Sequence, residues 1–219
     1  MKVKILGIAL FFLLSISSKA QVTQVRDTIL MGSQFKITLV AASHEIASQQ
    51  VNAVIDEIVR IENLISDWKP NSQISQVNAK AGIAPVRVDW EVFEFTRRAL
   101  QYSEITNGAF DISFAAMDKI WRFDDQMDAV PSAAMVAKAI AKVGYQNIIL
   151  NPSDTTIFLK NKGMKIGFGS IGKGYAADSG RAILQKLRVQ AGIVDASGDL
   201  ATLGHPLHAD FWKIGITNP

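Results

Sequence analysis

The chain has 219 residues with 23 Lys+Arg against 20 Asp+Glu, three histidines and no cysteine, which excludes disulfides and attachment of lipid through cysteine. Three of the basic residues, Lys2, Lys4 and Lys19, fall in the opening MKVKILGIALFFLLSISSKA, while none of the acidic ones do. The rest of the chain is therefore near neutral, which removes the electrostatic case for nucleic acid or an anionic membrane surface.

The opening segment has the pattern of a secretory signal peptide: lysines, an apolar run from Ile5 to Leu14, then small residues at Ser18 and Ala20. The run is shorter than the roughly 20 residues that span a bilayer. Cleavage after Ala20 and export to the periplasm, with no stable membrane anchor, are expected, followed by one domain over residues 21–219. Val25 to Leu30 and Phe35 to Ala41 read as strands around Met31-Gly32-Ser33, with Phe35, Ile37 and Leu39 on one face. From Ser43 the period changes. Val51, Val54, Ile55, Ile58, Ile61 and Ile65 recur mostly at three- and four-residue steps, which predicts an amphipathic helix ending near Ser66.

DWKPNS at 67–72 is a loop by its Pro and Asn, and Ser72 is placed to cap a short helix to Ala81 with Gly82 beyond it. Val86 and Val88 suggest a short strand. Asp89 caps a helix that buries Val92, Phe93, Thr96 and Leu100 and stops at Asn107-Gly108. Pro131-Ser132 opens another, closed by Gly144. Thr155 to Leu159 and Met164 to Phe168 read as an antiparallel hairpin around Asn161-Lys162-Gly163. A helix from Gly172 to Leu187, a strand Ile193 to Asp195 and a strand-like FWKIGIT at 211–217 complete the chain. Antiparallel strands mixed with helices predict an α+β fold.

GFGSIGKGYAAD at 167–178 nearly satisfies two phosphate-binding patterns. Gly167 to Lys173 fits the P-loop except that Gly174 stands where a Ser or Thr would ligate Mg²⁺. Gly167, Gly169 and Gly172 fit G-x-G-x-x-G, and Asp195 lies where an acidic ribose ligand is expected, but an antiparallel hairpin is the wrong entry for a Rossmann unit. A Gly-rich turn opening a helix without any ligand is the third reading.

Four stretches taken together carry a resemblance: LMGSQF at 30–35, ISDWKPNSQISQVN at 65–78, GAFDISFAAMDKIW at 108–121 and IGFGSIGKGYAAD at 166–178. In this order, with SGDLATLG at 197–204, the chain resembles the ApbE family of FAD:protein FMN transferases. The resemblance covers roughly Leu30 to the end. It implies a T-fold-like flavin transferase domain with a mixed, largely antiparallel sheet. It also implies transfer of FMN from FAD to a Ser or Thr hydroxyl of an acceptor protein, with Mg²⁺ required and AMP released. The acceptor is expected in a respiratory or redox system.

By motif position, Met31, Trp68, Ala109, Phe110, Asp111, Gly167 and Lys173 look like the flavin-binding residues, and the main-chain carbonyl of Ser170 like a Mg²⁺ ligand. The chemistry is sensible: an aromatic stacks on a flat ring, a lysine meets phosphate oxygens, and a hard cation takes carbonyl oxygen. Each has a plainer reading. Met31 and Phe110 suit a core, Trp68 a packing anchor and Asp111 a helix cap. Ser33, Trp68 and Ile112-Ser113 depart mildly from the family pattern. Members continue past this point with a histidine motif and an Asp/Thr cluster that completes the Mg²⁺ site, so the resemblance implies a missing C-terminal part. His44, His205 and His208 read as surface residues. FAD hydrolysis to FMN and AMP, and flavin binding without catalysis, stand as alternatives.

Overall fold

Strict alternation over residues 22–41 folds as two long strands, β1 (Val22–Leu30) and β2 (Ser33–Ala41), paired in antiparallel register from Val22↔Ala41 to Leu30↔Ser33. The computed structural model describes residues 21–117, 120 and 130–215. The predicted signal segment and residues 118, 119 and 121 of the third motif lie outside them. Phe35, Ile37 and Leu39 are fully buried on one face, because side chains two apart on a strand share a side.

α1 (His44–Ile65) covers that face with a stripe of Val51, Val54, Ile58, Ile61 and Ile65. It starts where the Ser43 hydroxyl accepts from Ile46 N at 3.3 Å. The chain continues through α2 (Gln73–Ala79), β3 (Val86–Arg87), α3 (Trp90–Ile105) and a 3₁₀ turn at Ile112–Ala116. Then come α4 (Ala133–Ala139), a 3₁₀ turn at Tyr145–Asn147, β4 (Ile148–Asn151) and β5 (Thr156–Leu159). α5 (Gly172–Lys186), β6 (Ala191–Ala196) and β7 (Asp199–Leu203) follow. The result is the expected α+β architecture, with a four-stranded sheet ordered β1-β2-β6-β7 and a three-stranded sheet ordered β3-β5-β4, antiparallel throughout.

α5 lies beside α1 on the larger sheet, and Gly180 makes the approach possible. A Cβ there would stand 2.9 Å from Val54 Cγ1 and 3.3 Å from Val194. One core joins the sheets, taking in Ile157 and Leu159 from the smaller with Phe35, Ile37 and Val194 from the larger. Among the described residues no helix is long and apolar enough to cross a membrane.

Three expectations change. Thr156–Leu159 pairs with Ile148–Asn151 and Val86–Arg87, and Met164–Phe168 joins no ladder. The Asn78 side chain takes the place of a neighbouring strand: its Oδ1 accepts from Ile166 N at 2.8 Å and its Nδ2 donates to Ile166 O at 2.9 Å. Phe211–Gly215 forms no strand, and residues 216 and 217 lie outside the described residues. Trp212 instead donates its indole N–H to the carbonyls of Leu203 (3.3 Å) and Gly204 (2.9 Å) at the end of β7. Asp195 sits within β6, and its Oδ1 braces the following turn by accepting from Gly198 N at 2.9 Å. That use is structural, not a ribose contact.

Candidate functional site

The loop that follows α1 is organised by serines. Ser66 leaves the helix with extended backbone, and its hydroxyl accepts from the amides of Trp68 (3.2 Å) and Lys69 (3.3 Å). Its carbonyl accepts from the hydroxyls of Ser72 and Ser75. Buried Ser72 also caps α2 by accepting from Ser75 N at 3.0 Å. The serines of SDWKPNSQIS thus fix a turn that presents Trp68, which is 77% exposed.

Opposite this loop stands the start of α5. Phe168 O accepts from Ile171 N (3.1 Å) and Gly172 N (2.6 Å), which folds the Gly-rich stretch into a tight entry. No side chain caps the helix; Gly172 N is taken by Phe168 O, and among the described residues the amides of Lys173 and Gly174 remain available with their partial positive charge. Gly172 is buried because a Cβ there would come within 3.2 Å of Ile65 Cδ1 and 3.5 Å of Met31 Cε. The Met31-Gly32 turn closes the third side. Both residues have positive φ, 51° and 69°, as a two-residue hairpin of this twist requires, and methionine is an uncommon occupant of such a position.

Between these elements opens a cavity of about 650 Å³, a size suited to a ligand of cofactor dimensions. Met31, Ile65 and Phe168 give it an apolar floor, Trp68 a rim, and Lys173 a cationic wall. Lys69 also lines it but is neutralised by Glu62 at 3.1 Å and bonds Asn63 Oδ1 at 2.9 Å. Lys173 is half-buried, and among the described residues no ion pair or hydrogen bond occupies its ammonium. A cation without a partner among the described residues, beside an uncapped helix start, is suited to phosphate oxygens.

The residues named from the sequence divide. Met31, Trp68 and Lys173 converge on the cavity. Gly167 lies just behind it: its N–H donates to Ile112 O at 2.9 Å, and a Cβ would meet Asp67 Oδ2 and Ala115 Cβ, each at 3.1 Å. Ala109, Phe110 and Asp111 do not line the cavity. Asp111 caps the 3₁₀ turn: its Oδ1 accepts from Ser113 N and Oγ, both at 2.7 Å, and its Oδ2 from Tyr145 N at 2.8 Å. Phe110 packs edge-on against Tyr102. Ser170 is exposed at the turn, and among the described residues no group of three or more His, Cys, Asp or Glu gathers to hold a metal ion. Ser170 thus offers its main-chain carbonyl at the turn without a cluster of such side chains beside it among the described residues.

One constellation behind the cavity joins Tyr175 of the Gly-rich motif to Arg60, Glu57 and Glu91, which lie outside the motifs. Arg60 of α1 is bracketed by Glu57 (2.8 Å) and Glu91 (2.7 Å), and Glu91 Oε1 also accepts from the Tyr175 hydroxyl at 2.7 Å. Hydrogen bonding from Arg60 holds the Glu91 carboxyl below the usual carboxylate range. Burial, then donation to Glu91, pushes the Tyr175 phenol up.

Comparison with known proteins agrees with this geometry. The ApbE family's sequence profile matches residues 31–219. An FAD:protein FMN transferase of Klebsiella pneumoniae (strain 342) is 31% identical over 193 residues, 88% of this chain and 58% of that protein. One from Treponema pallidum (strain Nichols) is 27% identical over 188 residues, 78% of this chain and 52% of that one. The chain thus spans a little over half the length of these relatives. The crystal structure of the ApbE protein from Thermotoga maritima superposes with a TM-score of 0.77 at 25% identity, over 90% of this chain and 64% of that one. The flavin transferase ApbE from Vibrio cholerae gives 0.77 at 18% identity, over 91% and 65%, a likeness of fold. The chain belongs to the ApbE family.

Proposed function

We propose that this protein is an FAD:protein FMN transferase: it binds FAD and transfers FMN to a Ser or Thr hydroxyl of an acceptor protein. The observation that carries the reading is the cavity, in which an exposed Trp68 and an apolar floor face Lys173 and the open start of α5. FAD offers flat aromatic rings joined by a pyrophosphate. Trp68 suits stacking on a ring, Met31 and Phe168 suit its edge, and Lys173 with the α5 amides suits the phosphates.

In the transfer, the acceptor hydroxyl oxygen attacks the phosphorus of the FMN half. A new P–O bond forms, the pyrophosphate bond breaks, AMP leaves with the bridging oxygen, and the hydroxyl proton passes to solvent water. Negative charge grows on the phosphoryl and leaving oxygens, and Lys173 is placed to offset it. Dependence on Mg²⁺ belongs to this proposal through the family alone. Residues 1–20 are proposed to direct export to the periplasm and residues 21–219 to form the flavin-binding domain; an intact mass beginning at Gln21 is the expected result for protein recovered from the periplasm.

The test is product analysis after incubation with FAD, Mg²⁺ and a periplasmic extract. A fluorescent protein band that survives denaturing electrophoresis, with AMP released, supports transfer. Free FMN without such a band replaces it with hydrolysis. Bound but unchanged FAD replaces it with flavin binding alone.

A further inference from the structure

The constellation of Arg60, Glu91 and Tyr175 lies outside the cavity yet is joined to it by aromatic rings. Phe95 of α3 is sandwiched between Tyr175, at 4.3 Å and 27°, and Phe168, at 4.6 Å and 28°. Phe168 lines the cavity, and its carbonyl accepts from Gly172 N. Tyr175 is in the first turn of α5, whose N-terminus carries no cap. An uncapped first turn frays unless tertiary contacts hold it. Here the contacts are the ring stack and the hydroxyl-to-carboxylate bond, and Glu91 is itself gripped by both Nη1 (2.7 Å) and Nη2 (2.9 Å) of Arg60. Three helices, α1, α3 and α5, meet in this one cluster.

We infer that Tyr175, anchored by Glu91 and Arg60, is a positioning residue: it fixes the first turn of α5 so that Lys173 and the free amides face the phosphates of a bound flavin nucleotide. The inference rests on the reading of the cavity as the FAD site. Tyr175 touches no ligand in this scheme and acts through Lys173, two residues away. Its hydroxyl supplies a charge-assisted hydrogen bond, the stronger class, while its ring supplies the stack. Removing the hydroxyl alone leaves the stack and the core in place and frees the turn to shift.

Four forms of the full chain test this: wild type, Tyr175→Phe, Lys173→Met and the double variant, each titrated with FAD and with riboflavin, which lacks phosphate. Tyr175→Phe is expected to weaken FAD about tenfold and leave riboflavin unchanged. In the Lys173→Met background the same substitution should have a smaller effect on FAD, exerted through the amides alone. Equal weakening of both ligands, an undiminished effect in the Lys173→Met background, or no effect on FAD at all overturns the inference and leaves Tyr175 as packing. If wild type binds neither ligand, the flavin reading fails separately, and amide exchange decides the positioning role. Exchange of the Gly172 and Tyr175 amides, bonded to Phe168 O and Ile171 O, about tenfold faster in Tyr175→Phe supports it; unchanged exchange overturns it.

Discussion

Asn78→Ala removes a side chain that serves as a strand for one residue. Ile166 is fully buried, and its N–H and C=O are met by Asn78 Oδ1 at 2.8 Å and Nδ2 at 2.9 Å. Each bond contributes about 1 kcal/mol net, and each buried partner left unmade costs a further 1–3 kcal/mol or so. Asn78 is only part-buried, so water reaches one side of the gap and holds the expected loss to about 2–4 kcal/mol. Asn78→Asp keeps the acceptor for Ile166 N–H but sets a second oxygen against Ile166 O, and should lose about as much. Urea unfolding followed by far-ultraviolet circular dichroism measures the loss as a lower midpoint at unchanged slope. A cost under about 0.5 kcal/mol for Asn78→Ala would refute the claim that this amide carries the 164–168 segment.

Lys173→Met should weaken FAD by about 1.5–3 kcal/mol and leave riboflavin unaffected, whereas Trp68→Ala should weaken both by about 0.5–1.5 kcal/mol; calorimetry with the two ligands separates these outcomes. Because Arg60 holds folded Glu91 below its ordinary 4.5, the pair stabilises the fold above that pH and its contribution is lost as pH falls through the lowered value. Thermal melts should therefore show Glu91→Gln trailing wild type near neutral pH, with the gap closing in acid. Gly32→Ala should cost about 1–2 kcal/mol through backbone conformation alone, since nothing lies within 4 Å of the new Cβ. Gly204→Ala should cost more in the same urea assay, because its Cβ would stand 2.0 Å from Gln190 O; equal losses would contradict the steric argument.

Periodicity made the first two strands and α1 readable, since burial of one face repeats at the period of the element. The same rule misled at Met164–Phe168. Met164, Ile166 and Phe168 are all buried, so the alternation is genuine, but it reports extended backbone and not the identity of the hydrogen-bond partner. An asparagine 88 positions away gives no local sign that it will fill that place. Met31, Trp68 and Lys173, named from short motifs, are brought together on one cavity. Asp111 was ambiguous for a physical reason: an aspartate two residues before a serine is equally a ligand and a cap, and its two oxygens are spent on Ser113 and Tyr145. Glu91 lies 31 residues from Arg60 and 84 from Tyr175, so only the fold reveals that they meet.

The ends of the larger sheet bear on how the protein behaves at high concentration. Among the described residues β1 pairs on one side only, so a nine-residue strand offers its other row of peptide groups to any passing chain. Its solvent face includes exposed Val25 and Ile29, the composition that favours intermolecular pairing, and Asp27 is the charge that interrupts it. At the far side, the Trp212 indole already occupies carbonyls at the end of β7. Growth of one molecule onto another would thus begin at β1. A charged residue in place of Ile29, which is 70% exposed, is the simplest way to keep concentrated solutions clear for crystallisation or for spectroscopy of the bound flavin.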